Sequence, residues 1–336
     1  MVYNHIVERR NVMALKNDII TALESNRGKA ISGQELADML GVSRAAVWKA
    51  VKALQNEGYS ITAGTNKGYI LEDKTDVLSQ QGIKMFIEKK NMNNPVIVYK
   101  TIDSTNSEAK KLAMSGAEHG TIVAANEQTN GRGRRGNSFY SPAQTGIYMS
   151  VILKPQKALA DCLMTTVAAA VAVTDSIEAL TGKNPQIKWV NDIFLDGRKI
   201  CGILTEAISD FESGMAEAII VGVGVNVSTA DFPEEISEVA GSLSPENLTR
   251  NQLAAEIAAR IVEYSESTDN SAIMAKYREK SMVIGRNITF TKNGIQQSGY
   301  VNDINDMGNL VVETTKGTEI LASGEITIGS KNLCQK

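Results

Sequence analysis

Ile187-Lys188-Trp189-Val190-Asn191-Asp192-Ile193-Phe194-Leu195-Asp196-Gly197-Arg198-Lys199-Ile200-Cys201-Gly202-Ile203-Leu204-Thr205-Glu206 decides how the middle of this chain folds. Two apolar runs, 187–195 and 200–206, flank Asp196-Gly197-Arg198-Lys199, and an Asp-Gly pair between such runs is tight-turn chemistry. The first run reads as a strand broken by a polar centre of Lys188, Asn191 and Asp192. Those groups are costly to bury unless paired, so they mark an internal polar network or a site, and the site is the favoured reading. Lys199 opens the second strand, where a lysine is ordinarily a solvated edge charge.

Working outward, 218–227 reads as the partner of 200–206. Its Gly222-Val223-Gly224-Val225-Asn226 lacks the third glycine and following helix of a dinucleotide fingerprint. Two glycines on one face of a buried strand imply close approach of something flat or bulky. Upstream, 145–153 reads as a strand. The run 162–180 reads as a buried core helix, because Thr165, Thr166, Thr174, Asp175 and Glu178 interrupt it and a membrane span needs about 20 nearly uninterrupted apolar residues. Val96–Tyr99 and Thr121–Ala125 read as strands around a helix opened by Asp103-Ser104-Thr105-Asn106-Ser107-Glu108 and stopping near Gly116. Thr105 and Glu108 have capping-box spacing; the hydroxyls either satisfy orphan helix N–H groups or clasp a polar ligand. Strands and helices alternating in this way make the centre an α/β domain.

Between the second and third of these strands stands Gly131-Arg132-Gly133-Arg134-Arg135-Gly136. Packing does not explain guanidiniums crowded among glycines without an apolar anchor. Glycine lets backbone N–H groups approach a ligand closely, and arginine's planar fork suits phosphate oxygens. The loop therefore calls for an anion, and like-charge repulsion predicts mobility without ligand and order with it. The alternative is a solvated basic loop or a fragment of an RNA-binding Arg/Gly tract.

The first 80 residues have a different pattern. Periodic apolar residues predict helices over 16–23, 32–41 and from Ser43 to about 57, with Leu36, Ala37, Leu40, Gly41, Val42, Val47 and Ala50 at helix-turn-helix spacing. Short strands over 59–63 and 68–71 follow in the position of a wing. From 43 to 70 the charged residues are Arg44, Lys49, Lys52 and Lys67 against Glu57 alone. That is a phosphate-facing surface, with Ser43, Arg44 and Trp48 nearest base edges, Lys49 and Lys52 on the same helix, and Lys67 on the wing. Trp48 could instead pack in the core, and the module could serve protein–protein contact. At the other end, 286–328 shows short strands punctuated by Lys292-Asn293-Gly294, Asp306-Met307-Gly308 and Thr315-Lys316-Gly317, a small β-barrel that either covers the central sheet or touches its ligand.

A chain of 336 residues exceeds the usual single domain, and the boundaries fall near 1–80, 81–283 and 284–336. A net charge of −3 confines any nucleic-acid surface to a local patch. Three cysteines, Cys162, Cys201 and Cys334, are too scattered for a disulfide framework or zinc site, and two histidines, His5 and His119, leave little room for histidine catalysis. Scattered cysteines and the lack of a hydrophobic leader fit a cytoplasmic protein without a membrane partner.

Ser104-Thr105-Asn106, the 131–136 loop, Lys188-Trp189-Val190-Asn191-Asp192, Arg198-Lys199-Ile200-Cys201-Gly202-Ile203-Leu204 and Gly222-Val223-Gly224-Val225-Asn226 occur in the order and approximate spacing seen in biotin protein ligases. With the helix-turn-helix in front, the chain resembles the bifunctional type that is also the biotin operon repressor, over about 15–328. The resemblance implies an α+β multidomain protein: a winged helix-turn-helix, a central α/β catalytic domain with a mixed sheet, similar to class II aminoacyl-tRNA synthetases, and an SH3-like C-terminal barrel. It implies attack of biotin carboxylate on the α-phosphate of ATP, then transfer of biotin from biotinyl-5'-AMP to a lysine of a biotin carboxyl carrier protein.

By the same resemblance, Ser104, Thr105, Asn106 and Gln128 bind biotin's ureido end, and Gly131, Arg132, Gly133 and Arg134 wrap its carboxylate and the phosphate. Lys199 neutralises the reacting oxygens. Trp189, Asn191 and Asn226 fall on the nucleotide side with Phe139 over adenine, and Asp192 helps hold Mg²⁺. The implied partners are operator DNA of biotin genes and a second copy of the chain once biotinyl-5'-AMP is bound. The chain departs from the family pattern at Val190, commonly proline, at Asn137, commonly basic, and at Phe139, commonly tryptophan; none removes a group the chemistry needs. The alternatives are a ligase whose winged helix no longer binds DNA and a ligand sensor without catalysis. Lipoate ligases share the architecture, but their Arg-Arg-x-Ser-Gly-Gly-Gly loop is absent from the sequence.

Overall fold

The computed structural model describes residues 2–64, 68–154, 162–209, 216–292 and 294–328. They fall into two compact units, Met1–Asn93 with Asn247–Ala255, and Asn94–Glu246 with Glu256–Lys336.

In the first unit α1 (Val2–Ser25) is longer than the apolar period alone predicts, and α2 (Gly33–Leu40) and α3 (Arg44–Asn56) stand where the spacing puts them. Ser32 accepts the Glu35 N–H while the Glu35 carboxylate takes the Ser32 N–H, a reciprocal cap that starts α2. Gly41 ends it at φ 64°, in the left-handed region where glycine pays no Cβ penalty. Val47, Ala50, Val51 and Leu54 of α3 meet Leu36 and Ala37 of α2 and Ile19, Ile20 and Leu23 of α1 in one core. Strands β1 (Ile61–Gly64) and β2 (Gly68–Leu71) pair antiparallel, Ile61 opposite Leu71. The wing residue Lys67 lies outside the described residues. Helix α4 (Gln80–Glu88) follows, and a buried Arg250 donates from Nε to Asp76 Oδ2 at 3.0 Å.

The second unit contains a seven-stranded sheet in the order β3-β4-β5-β9-β8-β7-β6. Its members are β3 (Val96–Tyr99), β4 (Thr121–Ala125), β5 (Gly146–Leu153), β6 (Gln186–Lys188), β7 (Asp192–Leu195), β8 (Arg198–Ser209) and β9 (Ala216–Asn226). Only β3 and β4 run parallel, because α5 (Thr105–Met114) carries the chain back between them; the other neighbours are antiparallel, so the sheet is mixed.

The run 187–195 is a hairpin rather than the single interrupted strand expected from its apolar flanks. Lys188 pairs opposite Asp192, and Trp189, Val190 and Asn191 make the reversal. The polar centre thus sits at the tip of a hairpin: Lys188 and Asp192 close its ladder, and Asn191, in the turn, bonds to both backbone groups of Ile203. Helix α6 (Cys162–Thr181) is long and apolar enough over 163–181 to cross a membrane, yet Val167–Val173 and Ile177 are buried in the unit's own interior, as a core helix requires.

After α7 (Glu234–Ser237), α8 (Arg250–Glu266) and α9 (Ser271–Glu279) close on α6 through a buried Asp175, which accepts from Tyr264 Oη at 2.8 Å and Lys276 Nζ at 2.7 Å. The C-terminal strands β10 (Asn287–Lys292), β11 (Ile295–Ile304), β12 (Leu310–Thr314), β13 (Gly317–Leu321) and β14 (Ile326–Ile328) form an antiparallel sheet in the order β13-β12-β11-β10-β14. Ile288, Phe290, Val301, Leu310 and Val312 fill its core. Among the described residues its edge strands β13 and β14 do not pair, so the barrel is open along that seam.

Candidate active site

A cavity of about 270 Å³ opens over β8 and β9, with the N-terminus of α5, the 131–139 loop, the β6–β7 turn and residues 324–327 around it. Glycine makes the floor flat. A Cβ at Gly224 would stand 2.5 Å from the Phe139 ring, and one at Gly222 would stand 2.1 Å from Asn106 Oδ1. The flat or bulky groups that the two glycines announced are therefore, in part, the protein's own side chains.

One end of the cavity is uncharged and tightly cross-bonded. Ser104, not Thr105, caps α5 by accepting the Ser107 N–H, because its extended backbone aims the hydroxyl back at the helix start. This frees Thr105, whose N–H and hydroxyl both donate to Gln128 Oε1 at 2.9 and 3.2 Å. Gln128 in turn donates to Ser141 Oγ at 2.9 Å. Asn106 donates to the Leu204 carbonyl and to Glu206, and its Oδ1 accepts from Ser150 at 2.6 Å. With both donors committed, Asn106 has a lone pair left to offer a ligand N–H.

The other end is cationic. Arg132 Nη2 stands 3.4 Å from Glu206 Oε1, and Arg134 donates to Asn191 Oδ1 at 3.2 Å. The loop between them is a tight turn: Gly133 donates to the Asn137 carbonyl at 2.7 Å, and Arg135 and Gly136 take φ 55° and 82°. Burial, reinforced by Arg135, holds the Arg134 guanidinium below its ordinary pKa, and burial with the charge of Lys199 does the same to Lys188. Cations raised in energy this way are poised to be relieved by an anion. Lys199 Nζ lies 2.7 Å from Asp192 Oδ1, a close ion pair whose angle is not that of a hydrogen bond, so Oδ1 has no aligned donor.

Ser104, Thr105, Asn106, Gln128, Arg132, Gly133, Arg134, Phe139, Trp189, Asn191, Asp192 and Lys199 all line the cavity. Gly131 and Asn226 do not. A Cβ at Gly131 would stand 2.4 Å from the Phe139 carbonyl, so its place is one of close packing behind the wall. Asn226, buried at the end of β9, donates to the Gly241 carbonyl at 3.0 Å and holds that turn. Trp189 spends its indole N–H on the Gly308 carbonyl, leaving only its ring for a ligand. The sequence reading favoured Lys188 as part of a site without giving it a role, and it missed Glu206. Lys188 was visible as a charge in an apolar run, whereas the partners of Glu206 lie about a hundred positions away and leave no local signal.

In the N-terminal unit, Arg44, Trp48, Lys49 and Lys52 are exposed on α3, opposite the buried Val47, Ala50, Val51 and Leu54. Trp48 is 53 % exposed, which takes it out of the core. Ser43 caps α3 by accepting the Ala46 N–H at 3.2 Å.

Three segments match known domain families: 16–70 an HTH domain, 98–226 the biotin/lipoate A/B protein ligase family, and 283–329 the biotin protein ligase C-terminal domain. Over 94 % of its length the chain is 35 % identical to the bifunctional ligase/repressor BirA of Bacillus spizizenii and covers 99 % of that protein. The chain belongs to the biotin protein ligase family, in its bifunctional ligase/repressor branch. It is 26 % identical to the bifunctional ligase/repressor BirA of Escherichia coli over 95 % of this chain and 98 % of that one. The biotin protein ligase of Aquifex aeolicus, solved in complex with biotin and ATP, superposes with a TM-score of 0.61 at 26 % identity, covering 70 % of this chain and 99 % of that chain. The family thus matches all three sequence segments, and the solved ligase matches the fold over 70 % of the chain.

Proposed function

We infer that this protein is an ATP-dependent biotin protein ligase and a biotin-responsive repressor of biotin genes. It forms biotinyl-5'-AMP and transfers the biotinyl group to a lysine of a biotin carboxyl carrier protein, and its winged helix binds DNA. The observation that carries the chemistry is one cavity with an uncharged amide-and-hydroxyl end and an end bearing Arg132, Arg134, Lys188 and Lys199. A ureido ring and a carboxylate meeting a phosphate need those two environments side by side.

The residue roles are our proposal. Thr105, Asn106 and Gln128, braced by Ser104, hold the ureido group, Asn106 through Oδ1 and Gln128 through its remaining amide hydrogen. As the carboxylate oxygen bonds to the α-phosphorus and pyrophosphate leaves, negative charge grows on oxygens that Arg132, Arg134 and Lys199 face. Preorganised cations stabilise that charge without reorganising. Phe139, on its glycine floor, and the Trp189 ring take the adenine side, with Asn191 fixing Arg134 toward the phosphate. Gly131 and Asn226 act from behind by shaping the loop and the 241 turn. In the second step the carrier lysine attacks the acyl carbonyl and AMP leaves, its phosphate taken by the same cations.

Among the described residues no group of three or more His, Cys, Asp or Glu could cage a metal. A lone carboxylate oxygen without an aligned donor, Asp192 Oδ1, nevertheless fits Mg²⁺, which takes one or two carboxylates and completes its shell with phosphate oxygens and water. Bound there, Mg²⁺ would neutralise charge on the leaving pyrophosphate.

On the DNA side, Arg44, Lys49 and Lys52 meet phosphates, Trp48 presents an apolar face to base edges in the major groove, and Lys67, outside the described residues, adds a further cation for the DNA backbone. The remaining proposals are domain limits of 1–80, 81–283 and 284–336, a cytoplasmic location, and a homodimer formed on biotinyl-5'-AMP that recognises a two-fold operator. Incubation with labelled biotin, ATP and a carrier domain tests the ligase: labelled adenylate, then labelled carrier, is expected, and neither product would refute it.

A further inference from the structure

Glu206 lies outside every role assigned above, yet two groups of the site, Asn106 and Arg132, and a neighbouring lysine converge on its carboxylate. Oε2 accepts from Asn106 Nδ2 at 2.8 Å, and Oε1 accepts from Lys110 Nζ at 2.6 Å and stands 3.4 Å from Arg132 Nη2. Asn106 and Lys110 reach it together because they are one turn apart on α5. Burial alone would raise the pKa of this carboxyl, but the hydrogen bonds from Lys110 and Asn106 outweigh it and hold the group below the usual carboxylate range. It is therefore an anion, and an ionised carboxylate only accepts.

That one-way chemistry decides how Asn106 points. An asparagine amide can present either its oxygen or its nitrogen, but Nδ2 must face the two acceptors beside it, the Glu206 carboxylate at 2.8 Å and the Leu204 carbonyl at 3.2 Å. Oδ1 then turns toward Ser150 and the glycine floor, where a Cβ at 222 would stand 2.1 Å from it. The same carboxylate stands 3.4 Å from Arg132 Nη2, a side chain that is 45 % exposed in the cavity wall. A single group thus anchors both ends of the site.

We propose that Glu206 is a positioning residue for adenylate formation, fixing the Asn106 amide oxygen toward the biotin end of the cavity and tethering Arg132 over the phosphate end. The proposal rests on the reading of Asn106 and Arg132 as substrate contacts. Glu206→Gln keeps the shape but weakens the instruction: its amide can donate or accept, so the Asn106 amide is held by the Leu204 carbonyl at 3.2 Å without the charged acceptor, and Arg132 loses its counter-charge.

The test measures pyrophosphate release against biotin and ATP, and the lifetime of bound biotinyl-5'-AMP, in Glu206→Gln, Glu206→Asp, Asn106→Ala, Arg132→Ala and the Glu206→Gln/Arg132→Ala double variant. Glu206→Gln is expected to raise the biotin KM about tenfold, the scale of one hydrogen bond to a charged group, with kcat and the ATP KM within about threefold. It should shorten adenylate lifetime, and the double variant should be no worse in lifetime than Arg132→Ala, because coupled groups are not additive. Glu206→Asp, which keeps the acceptor-only charge, should recover most of the biotin KM. A merely structural role would instead raise both KM values together and lower the unfolding midpoint. Wild-type kinetics in Glu206→Gln, alongside impaired Asn106→Ala and Arg132→Ala, would overturn the proposal and leave the substrate reading intact. Unimpaired Asn106→Ala and Arg132→Ala would remove the substrate reading itself, and the proposal with it.

Discussion

Lys199→Ala removes the ammonium that stands 2.7 Å from Asp192 Oδ1 in the cavity wall. Two losses follow. One preorganised positive donor is gone, which typically costs about 2.7–4 kcal/mol of transition-state stabilisation, or about 10²- to 10³-fold in rate. The Asp192 carboxylate also faces the incoming phosphate without its counter-charge. At about 4 Å and an effective dielectric near 20 that repulsion is about 4 kcal/mol, and solvent reaching these partly exposed side chains cuts it to roughly 1 kcal/mol. Together they predict a fall in single-turnover adenylation of about 10³-fold. Stability should barely move, because the pair is 32 % and 23 % exposed and such pairs contribute about 1 kcal/mol or less. Lys199→Arg keeps the charge but replaces a point cation by a longer planar fork, so an intermediate rate is expected. Rapid quench with α-labelled ATP at saturating biotin reads the step directly, with a denaturant titration beside it to confirm the fold. A Lys199→Ala rate within tenfold of wild type would refute the reasoning.

Gly224→Ala should raise the ATP KM at least tenfold and leave biotin affinity nearly unchanged, because its Cβ would stand 2.5 Å from the Phe139 ring and must displace it; equal effects on both substrates would show that the ring does not serve the nucleotide. Lys188→Met should stabilise the fold at neutral pH while weakening ATP binding. Its folded-state pKa is lowered by burial, so the unfolded chain binds more protons between that value and the ordinary 10.5, the cost of the charge is full below the window, and it fades as pH rises through it. The gap in unfolding midpoint should therefore narrow toward alkaline pH, and a gap independent of pH would count against the assignment. Ser43→Ala should cost about 1 kcal/mol of N-terminal stability through loss of its cap, whereas Trp48→Ala should leave stability within about 0.5 kcal/mol and weaken operator binding; calorimetry with a DNA titration separates them. DNA affinity measured with and without biotin plus ATP, at fixed salt, should differ if adenylate-driven dimerisation is coupled to operator binding, and equal affinities would leave a ligase with an idle winged helix.

Local chemistry made the frame legible. Ser32 with Glu35, Gly41 and Ser43 are caps and stops whose mechanism acts within a few residues, and the helices begin and end there. The β3–α5–β4 crossover and the β8–β9 pair were legible from alternation and turns for the same reason. The 187–195 hairpin was not, because apolar residues on both sides of a three-residue reversal look like one strand until Lys188 is seen facing Asp192. At the site, the glycines and arginines announced themselves by composition. Which hydroxyl caps α5, where Asn226 points and what Glu206 holds are set by partners far away in sequence, and no local pattern encodes them.

The arginine loop illustrates how those distant contacts become function. It is held at points on different elements: Arg132 by Glu206 of β8, Arg134 by Asn191 in the β6–β7 turn, and Asn137 by Glu325 beside the C-terminal sheet at 3.3 Å. Each contact alone is partly exposed and weak, so the loop's shape depends on their acting together. Residues 324–327 also line the cavity, and Trp189 reaches from the β6–β7 turn to the Gly308 carbonyl, so the C-terminal segment forms part of the wall of the site. A substrate anion would engage the guanidinium N–H groups that Glu206 and Asn191 leave free on Arg132 and Arg134, and so tighten or shift these contacts together. Occupancy of the cavity would thereby reach the loop's other contacts, which is what one adenylate serving both as reaction intermediate and as regulatory signal would require.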